Sequence, residues 1–222
     1  MNKTSWQDSL GEAWEALLDT LYMVGVSFVL TVIIGIALGV LLHASAPDGI
    51  RPNRVLNSVL GTVVNIGRSL PFVILLVLLI PATRAIVGTA LGATAAIVPL
   101  TIGSVPFFAR VVENALREVD SGRVEAALSM GATDKDIITK VLLPESVPGL
   151  VAGATLTAVM LIGFSAMAGA IGAGGLGDFA IKYGYQRFNT PVLFVAVVIL
   201  IVLVQAIQST GDLVVRSMAH KR

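Results

Sequence analysis

The sequence predicts an all-α membrane protein with five transmembrane helices, and two observations carry this prediction. Of the 222 residues, 55% are hydrophobic and 13% are charged, against roughly 25% charged residues in soluble domains. A helix needs roughly 20 apolar residues to cross about 30 Å of hydrocarbon. Four stretches of at least that length contain no charged residue: 21–42, 85–109, 146–177 and 188–211. A buried helical core in a soluble protein does not account for runs of this length.

The first predicted span covers about residues 20–42 and ends at the turn-rich stretch 43–49. The second lies between residues 55 and 81 and is the weakest, because it contains Arg68 and Pro71. An arginine at the bilayer centre costs about 2.5–3.5 kcal/mol, and proline removes a helical hydrogen bond. We therefore expect Arg68 near the cytoplasmic end of this span or in the protein interior, with the main span after Pro71.

The remaining spans are predicted at about 91–114, 147–171 and 190–212. Two prolines, Pro99 and Pro106, predict kinks in the first of these three helices. The polar segment 115–144 separates the third span from the fourth.

The distribution of lysine and arginine predicts the orientation, because these residues concentrate on the cytoplasmic side. With segment 115–144 inside, eleven of them fall on the inner side and four on the outer side. The N-terminus is then outside and the C-terminus inside, as an odd number of spans requires, and an acidic leader with Asp8, Glu12, Glu15 and Asp19 fits that position. We expect an external segment 1–19, a transmembrane domain 20–213 and a cytoplasmic tail 214–222. The inner residues are Arg51, Arg54, Arg68, Arg110, Arg117, Arg123, Lys135, Lys140, Arg216, Lys221 and Arg222, and the outer ones are Lys3, Arg84, Lys182 and Arg187.

The polar segment is predicted to form two short helices, 121–131 and 133–142, with apolar ridges at i, i+4 spacing. Gly131 is placed to end the first helix in a left-handed conformation. Thr133 is placed to cap the second, with Asp136 three residues further on. Pro144 is expected to end the pair before the fourth membrane helix. A compact helix–turn–helix of this kind can transmit a mechanical displacement to membrane helices.

The same segment contains Glu125-Ala126-Ala127, then Gly131, then Val141-Leu142-Leu143-Pro144. At every spacing this resembles the EAA signature of ABC-transporter permeases, with Val141 in place of the usual isoleucine. The resemblance implies a cytoplasmic coupling loop, 117–144, on which a separate ATPase docks. The implied coupling residues are Glu125, Ala126, Ala127, Gly131, Leu143 and Pro144. An ordinary amphipathic loop is the alternative, and it does not account for the whole pattern being in register.

Further strings, including 65–72, 80–88 and 164–177, resemble the permease of bacterial methionine-uptake ABC transporters. The similarity runs over about residues 14–216. It implies a five-helix inner-membrane subunit with two copies forming the pore, two ATP-binding subunits below, and an external membrane-anchored lipoprotein that delivers L- or D-methionine. ATP and Mg²⁺ then belong to the ATPase, and the chain itself is a transport subunit without a cofactor or a catalytic residue. A permease for another amino acid or small solute remains open, because the residue chemistry alone does not select methionine.

Phe164, Ser165 and Met167 lie in the middle of the fourth predicted helix. In the resembling family this helix lines the translocation pathway and the methionine position closes it, which suits a flexible thioether. Simple core or lipid packing is the alternative. Arg68, on the predicted second span, either neutralises a substrate carboxylate or, as we favour, reaches the phosphates of the inner leaflet.

Glycine pairs at small-xxx-small spacing, 35 with 39 and 149 with 153, are typical of closely packed membrane helices. Residues 172–177 read G-x-G-x-x-G, but a dinucleotide site needs a preceding strand. An apolar helix precedes this stretch, so we expect a flexible external loop.

Several function classes are disfavoured by what the sequence lacks. No G-x-x-x-x-G-K-[ST] phosphate loop occurs, so ATP hydrolysis requires a partner. The chain has no cysteine, which excludes disulfides and thiolate metal sites, and no histidine–carboxylate set predicts a metal centre. Nothing indicates a nucleic-acid partner. An ion-coupled secondary transporter is the alternative class, and such carriers usually hold intramembrane acidic residues, which the four charge-free runs lack.

Overall fold

The computed structural model describes residues 6–219, and within this range the chain is helical with no strand. Lys3, Lys221 and Arg222, which enter the charge count, lie outside the described residues. The helices in chain order are α1 (Trp6–Ser45), α2 (Arg54–Ser69), α3 (Phe72–Leu78), α4 (Ile80–Val87), α5 (Ala93–Arg117), α6 (Ser121–Ser129), α7 (Asp134–Asp136), a π-helical stretch (Ile137–Leu142), α8 (Leu143–Gly169), α9 (Gly175–Phe179), a second π-helical stretch (Ala180–Tyr185) and α10 (Thr190–Ala219).

Four helical stretches in the described range are long and apolar enough to cross a membrane. A fifth is formed if α2 and α3 are taken together as one broken span, since the chain bends sharply between them. The break falls at Leu70 and Pro71, because proline forces the residue before it into extended backbone and so ends α2. The prediction of an all-α chain, with a weak second span among five, agrees with this count. The four stretches are Gly11–Ser45, Ala93–Arg117, Asp134–Gly169 and Thr190–Met218.

The helix that carries the fourth span is continuous over Asp134–Gly169, so the expectation that Pro144 separates the polar segment from this span is wrong. A proline inside an α-helix clashes with the carbonyl four residues earlier and lacks a donor N–H. The π-helical stretch Ile137–Leu142 lies directly before it, and its wider turns provide room for the ring. The second helix of the polar segment is therefore the first part of a membrane helix.

The chain divides into two compact units. The first comprises the described part of Met1–Leu30 together with Leu70–Gly103 and Ala158–Ser209. Its core is an apolar cluster that includes Met23, Leu100 and Leu161. Within this cluster Phe72 stacks on Phe164, with the ring centroids 4.0 Å apart and the planes 3° from parallel.

The glycine-rich stretch that reads G-x-G-x-x-G lies in this first unit, between α8 and α9. Gly174 and Gly175 have φ values of +78° and +77°, which other residues rarely adopt. The backbone N–H of Leu176 donates to Thr20 Oγ1 at 2.8 Å in a buried position, and a Cβ on Gly177 would overlap the backbone of Ala166. The stretch is a closely packed helix-to-helix turn, so the expectation of a loosely held loop is wrong.

The second unit comprises Thr31–Ser69, Ser104–Thr157 and the described part of Thr210–Arg222. Gly35 and Gly39 of α1, and Gly149 and Gly153 of α8, lie directly against side chains of α5. The contacts of both glycine pairs confirm the predicted close packing. These contacts show that α1 runs parallel to α5, whereas α8 runs antiparallel to it.

Within this unit α2 also runs antiparallel to α5, because Gly61 lies beside Arg110 and Gly67 lies against Pro106. The loop 46–53 and the end of α5 are therefore at the same end of the unit. Arg68 is fourteen residues along α2 from Arg54, a rise of about 21 Å. Arg54 and Arg68 therefore lie near opposite ends of α2.

Candidate functional site

The polar end of the second unit carries the predicted coupling segment, and its turns have the expected local structure. Asp120 caps α6 by accepting from Gly122 N–H at 2.7 Å. Gly131, at φ +80°, ends α6: its own N–H donates to Leu128 O at 2.9 Å and the following Ala132 N–H donates to Ala127 O at 3.1 Å, a Schellman motif.

A capping box starts the next helix. Thr133 Oγ1 accepts from the Asp136 N–H, and the Asp136 carboxylate accepts from the Thr133 N–H. The left-handed glycine and the threonine cap, both predicted from the sequence, are confirmed. Together they fix the angle between the two helices.

An apolar cluster fixes α6 to the rest of the second unit. Ala127 is only 6% exposed and packs with Ile137, Leu142 and residues of α5. Leu143 is half-buried and packs against the same cluster. Ala127 therefore faces its own chain. Ala127 and Leu143 support the surface from beneath.

The outer face of this end has exposed apolar side chains that the sequence did not single out. Met130 is 82% exposed and Leu128 is 52% exposed, beside the exposed Glu125 and Ala126. Large apolar side chains grouped on a polar end of a protein mark an interaction surface. Glu125, Ala126, Leu128, Met130 and Gly131 are called the coupling surface below. Pro144 is also exposed.

Ion pairs brace the helices beneath the coupling surface. Arg51 of loop 46–53 pairs with Asp134, and Arg123 of α6 pairs with Glu145 of α8. Pairs of this exposure contribute little free energy each, but they tie three chain segments together.

A third pair, Lys140 with Asp136 at 2.5 Å, lies along one helix. The same Asp136 carboxylate accepts from the Thr133 N–H in the capping box.

A buried charged network on α5 was missed by the sequence reasoning. Glu113 is 3% exposed, and its two oxygens accept from Arg110 Nη1 at 2.5 Å and from Arg117 Nη2 at 2.8 Å. Arg110 Nη2 donates to Asn65 Oδ1 of α2 at 2.9 Å. The i, i+3, i+7 spacing of the three charged residues could have predicted that they lie on one face of the helix. Two guanidinium groups neutralise this acid, unlike the unpaired intramembrane acid expected of a proton carrier.

The three predicted pathway residues of α8 do not share one environment. Ser165 is buried and donates to Ile162 O at 2.7 Å, and Phe164 stacks on Phe72. Met167 is exposed, on the same helical face as Gly163 and Ala170. Of the three, only Met167 is exposed to the surroundings of the described chain, at 47%.

Two substitutions of Gly131 distinguish the effect of backbone strain from the effect of steric contact. A Cβ at this position would meet no atom within 4 Å, whereas φ is +80°. Asparagine tolerates this conformation and valine does not. We expect Gly131→Asn to retain ATPase-coupled uptake and Gly131→Val to lose most of it, measured in proteoliposomes. Equal uptake by the two variants would show that the left-handed turn is not required.

The described chain carries four or five candidate membrane spans and, at the polar end of its second unit, a partly apolar exposed surface. The family described as binding-protein-dependent transport system inner membrane component matches residues 32–220. The chain therefore belongs to that family, which confirms the predicted class and its place in the inner membrane.

Individual relatives are similar over nearly the whole chain. The probable D-methionine transport system permease protein MetI of Vibrio cholerae is 55% identical over 203 residues, covering 91% of this chain and 90% of that protein. The methionine import system permease protein MetP of Bacillus subtilis is 52% identical over 205 residues, covering 92% of each. A solved structure of the MetNI methionine ABC transporter in an inward-facing conformation has a TM-score of 0.93 and 47% identity, covering 98% of this chain and 99% of that chain.

Proposed function

We propose that the chain is the permease subunit of an ATP-driven importer that moves methionine, as the L and also the D enantiomer, across the inner membrane. The observation that carries the proposal is the coupling surface, a docking face on α6 beside the membrane helix Asp134–Gly169, in a chain that has no phosphate-binding loop of its own. Similar proteins named for methionine transport support the choice of substrate.

The proposed assembly contains two copies of this chain, two ATP-binding subunits and an external methionine-binding lipoprotein. ATP and Mg²⁺ belong to the ATP-binding subunits. The similar solved structure is that of an ABC transporter, which supports the permease–ATPase part of this assembly. The lipoprotein follows from the family resemblance alone.

In the proposed orientation the N-terminus is outside and the coupling surface faces the cytoplasm. The loop 46–53, the start of α2 and the coupling segment lie at the same end of the second unit, and together they carry Arg51, Arg54, Arg117, Arg123, Lys135 and Lys140. The positive-inside rule therefore supports a cytoplasmic position for that end. The proposed domains keep the predicted bounds: an external segment 1–19, a transmembrane domain 20–213 with coupling loop 117–144, and a tail 214–222.

In the proposed mechanism the ATPase binds the coupling surface. When the two ATP-binding subunits close on ATP, they move α6. Because the helix Asp134–Gly169 is continuous, displacement at its polar end travels directly to Met167. Glu125, Ala126, Gly131 and Pro144 touch the ATPase, while Ala127 and Leu143 keep the surface rigid. Met167 closes the pathway, and Phe164 and Ser165 hold it in place. Arg68 neutralises a substrate carboxylate or, as we favour, reaches the phosphates of the inner leaflet.

Reconstituted transport tests the proposed function. The permease, its candidate ATPase and its candidate binding protein are placed in proteoliposomes, and uptake of labelled L- and D-methionine is measured with and without ATP. We expect ATP-dependent accumulation of methionine that labelled leucine and histidine do not show. Uptake of a different solute would refute the substrate, and uptake driven by an ion gradient without ATP would refute the class.

A further inference from the structure

α2 exposes two flanks of opposite character. Ser58, Thr62, Asn65 and Ser69 follow each other at i, i+4, i+7 and i+11 and form a polar flank, all exposed. These spacings place them on one helical face. Beside it lies an exposed apolar flank formed by Val55, Val59, Val63 and Ile66. A third face, with Val64 at its centre, packs against the rest of the second unit.

The polar flank runs beside α5, a helix long and apolar enough to span a membrane. α2 is antiparallel to α5, with Gly61 beside Arg110 and Gly67 against Pro106, so the flank runs from the charged end of α5 at Ser58 toward its apolar part at Ser69. Where the flank enters the hydrocarbon region, lipid chains offer no hydrogen-bond partners, and polar side chains there face a protein interior or a water-filled cavity. The apolar flank suits lipid, and the polar flank does not.

The exposure of Arg68 and the hydrogen bond of Asn65 indicate whether the polar flank faces protein or water. Arg68, at the far end of α2, is exposed in the described chain, so at this depth its charge requires water or a counter-charge nearby. Asn65 Oδ1 accepts from Arg110 Nη2, which orients the amide and directs its Nδ2 donors away from the network. The flank thus presents hydroxyl groups, the oriented amide of Asn65 and no negative charge.

We propose that the Ser58–Thr62–Asn65 flank of α2 lines the water-filled route along which the substrate passes. This inference rests on the proposed function, import of a zwitterionic amino acid. Hydroxyl and amide groups replace the hydrogen bonds that the ammonium and carboxylate groups make with water, without a charge that would hold either group in place. A lining of this kind lets the substrate pass without binding it tightly.

The natural absence of cysteine provides a clean test by single-cysteine labelling. Ser58→Cys and Thr62→Cys report on the polar flank. Val59→Cys and Val63→Cys, each one residue further on and also exposed, are matched controls on the apolar flank. The assembled transporter in proteoliposomes is treated with a charged, membrane-impermeant methanethiosulfonate. Modification of the permease is quantified by mass spectrometry of its own peptides.

We expect the cysteines at 58 and 62 to react at least about tenfold faster than those at 59 and 63, because only a hydrated thiol ionises to the reactive thiolate. Modification at 62 should also block uptake, and excess methionine should slow the labelling. Equal or slower labelling at 58 and 62 would overturn the inference. So would efficient disulfide formation between two copies at position 58 without labelling, which would assign the flank to a dry seam between copies.

The labelling result is separable from the proposed function. Uptake by the unlabelled, cysteine-free parent decides whether methionine is the substrate, whatever the labelling pattern. If the parent transports methionine while the polar flank stays unlabelled, only the pathway inference fails. If the flank is labelled and another solute is transported, the pathway inference stands and the substrate assignment fails.

Discussion

Replacing Leu128 and Met130 together by aspartate is expected to abolish ATP-driven uptake while the permease still folds and inserts. Both side chains are mostly exposed in the single chain, so the new charges cost the permease little. Against a docked ATPase they become buried and unpaired, which costs at least about 3 kcal/mol. At 1.4 kcal/mol per factor of ten, ATPase affinity should fall more than about 100-fold.

The measurement is co-purification of the ATPase with the membrane-extracted permease, together with uptake. The swap Leu128→Met with Met130→Leu is the control, since it keeps apolar volume at both positions and should preserve complex and uptake. Full complex formation by the aspartate variant would show that the ATPase docks elsewhere.

Replacing Glu113 by alanine is expected to give the largest loss of stability among single substitutions in the second unit. The change leaves Arg110, whose side chain is 23% exposed, without its carboxylate partner, and Arg110 Nε already has no hydrogen-bond partner among the described residues. Removing one member of a fully buried pair costs about 3–5 kcal/mol, and we expect a loss at or below that range. The midpoint of thermal unfolding in detergent, followed by size-exclusion chromatography, should fall markedly.

Lys140→Ala is the matched control for this substitution. It also breaks an ion pair within one helix, but Lys140 is exposed, so the unfolding midpoint should barely change. Equal losses in the two variants would contradict a structural role for the buried network.

Local rules were sufficient for the features that depend on short sequence patterns. Hydropathy runs gave the spans, the left-handed glycine at 131 ended α6, and Thr133 with Asp136 formed the capping box. Each depends on the chemistry of a few neighbouring residues, which a single sequence displays. The glycine pairs on α1 and α8 were likewise predicted as packing positions from spacing alone.

Features that depend on tertiary contacts were predicted poorly. Pro144 was expected to end a helix, but the π-helical stretch before it lets the helix continue. Which of the two alanines of the motif faces the core was not predicted, because the motif does not distinguish them. Glu113 was overlooked because its burial and pairing depend on the packing around α5.

The central claim is that the coupling surface contacts an ATP-hydrolysing partner on the cytoplasmic side. Met130→Cys in the cysteine-free chain, carrying a benzophenone maleimide, tests it by photo-crosslinking in the assembled transporter. Phe188→Cys, which is also highly exposed and lies next to the predicted outer residue Arg187, is the control. We expect a permease–ATPase adduct from position 130 alone, whereas an adduct between position 130 and the external binding protein, or an ATPase adduct from position 188 instead, would contradict the claim.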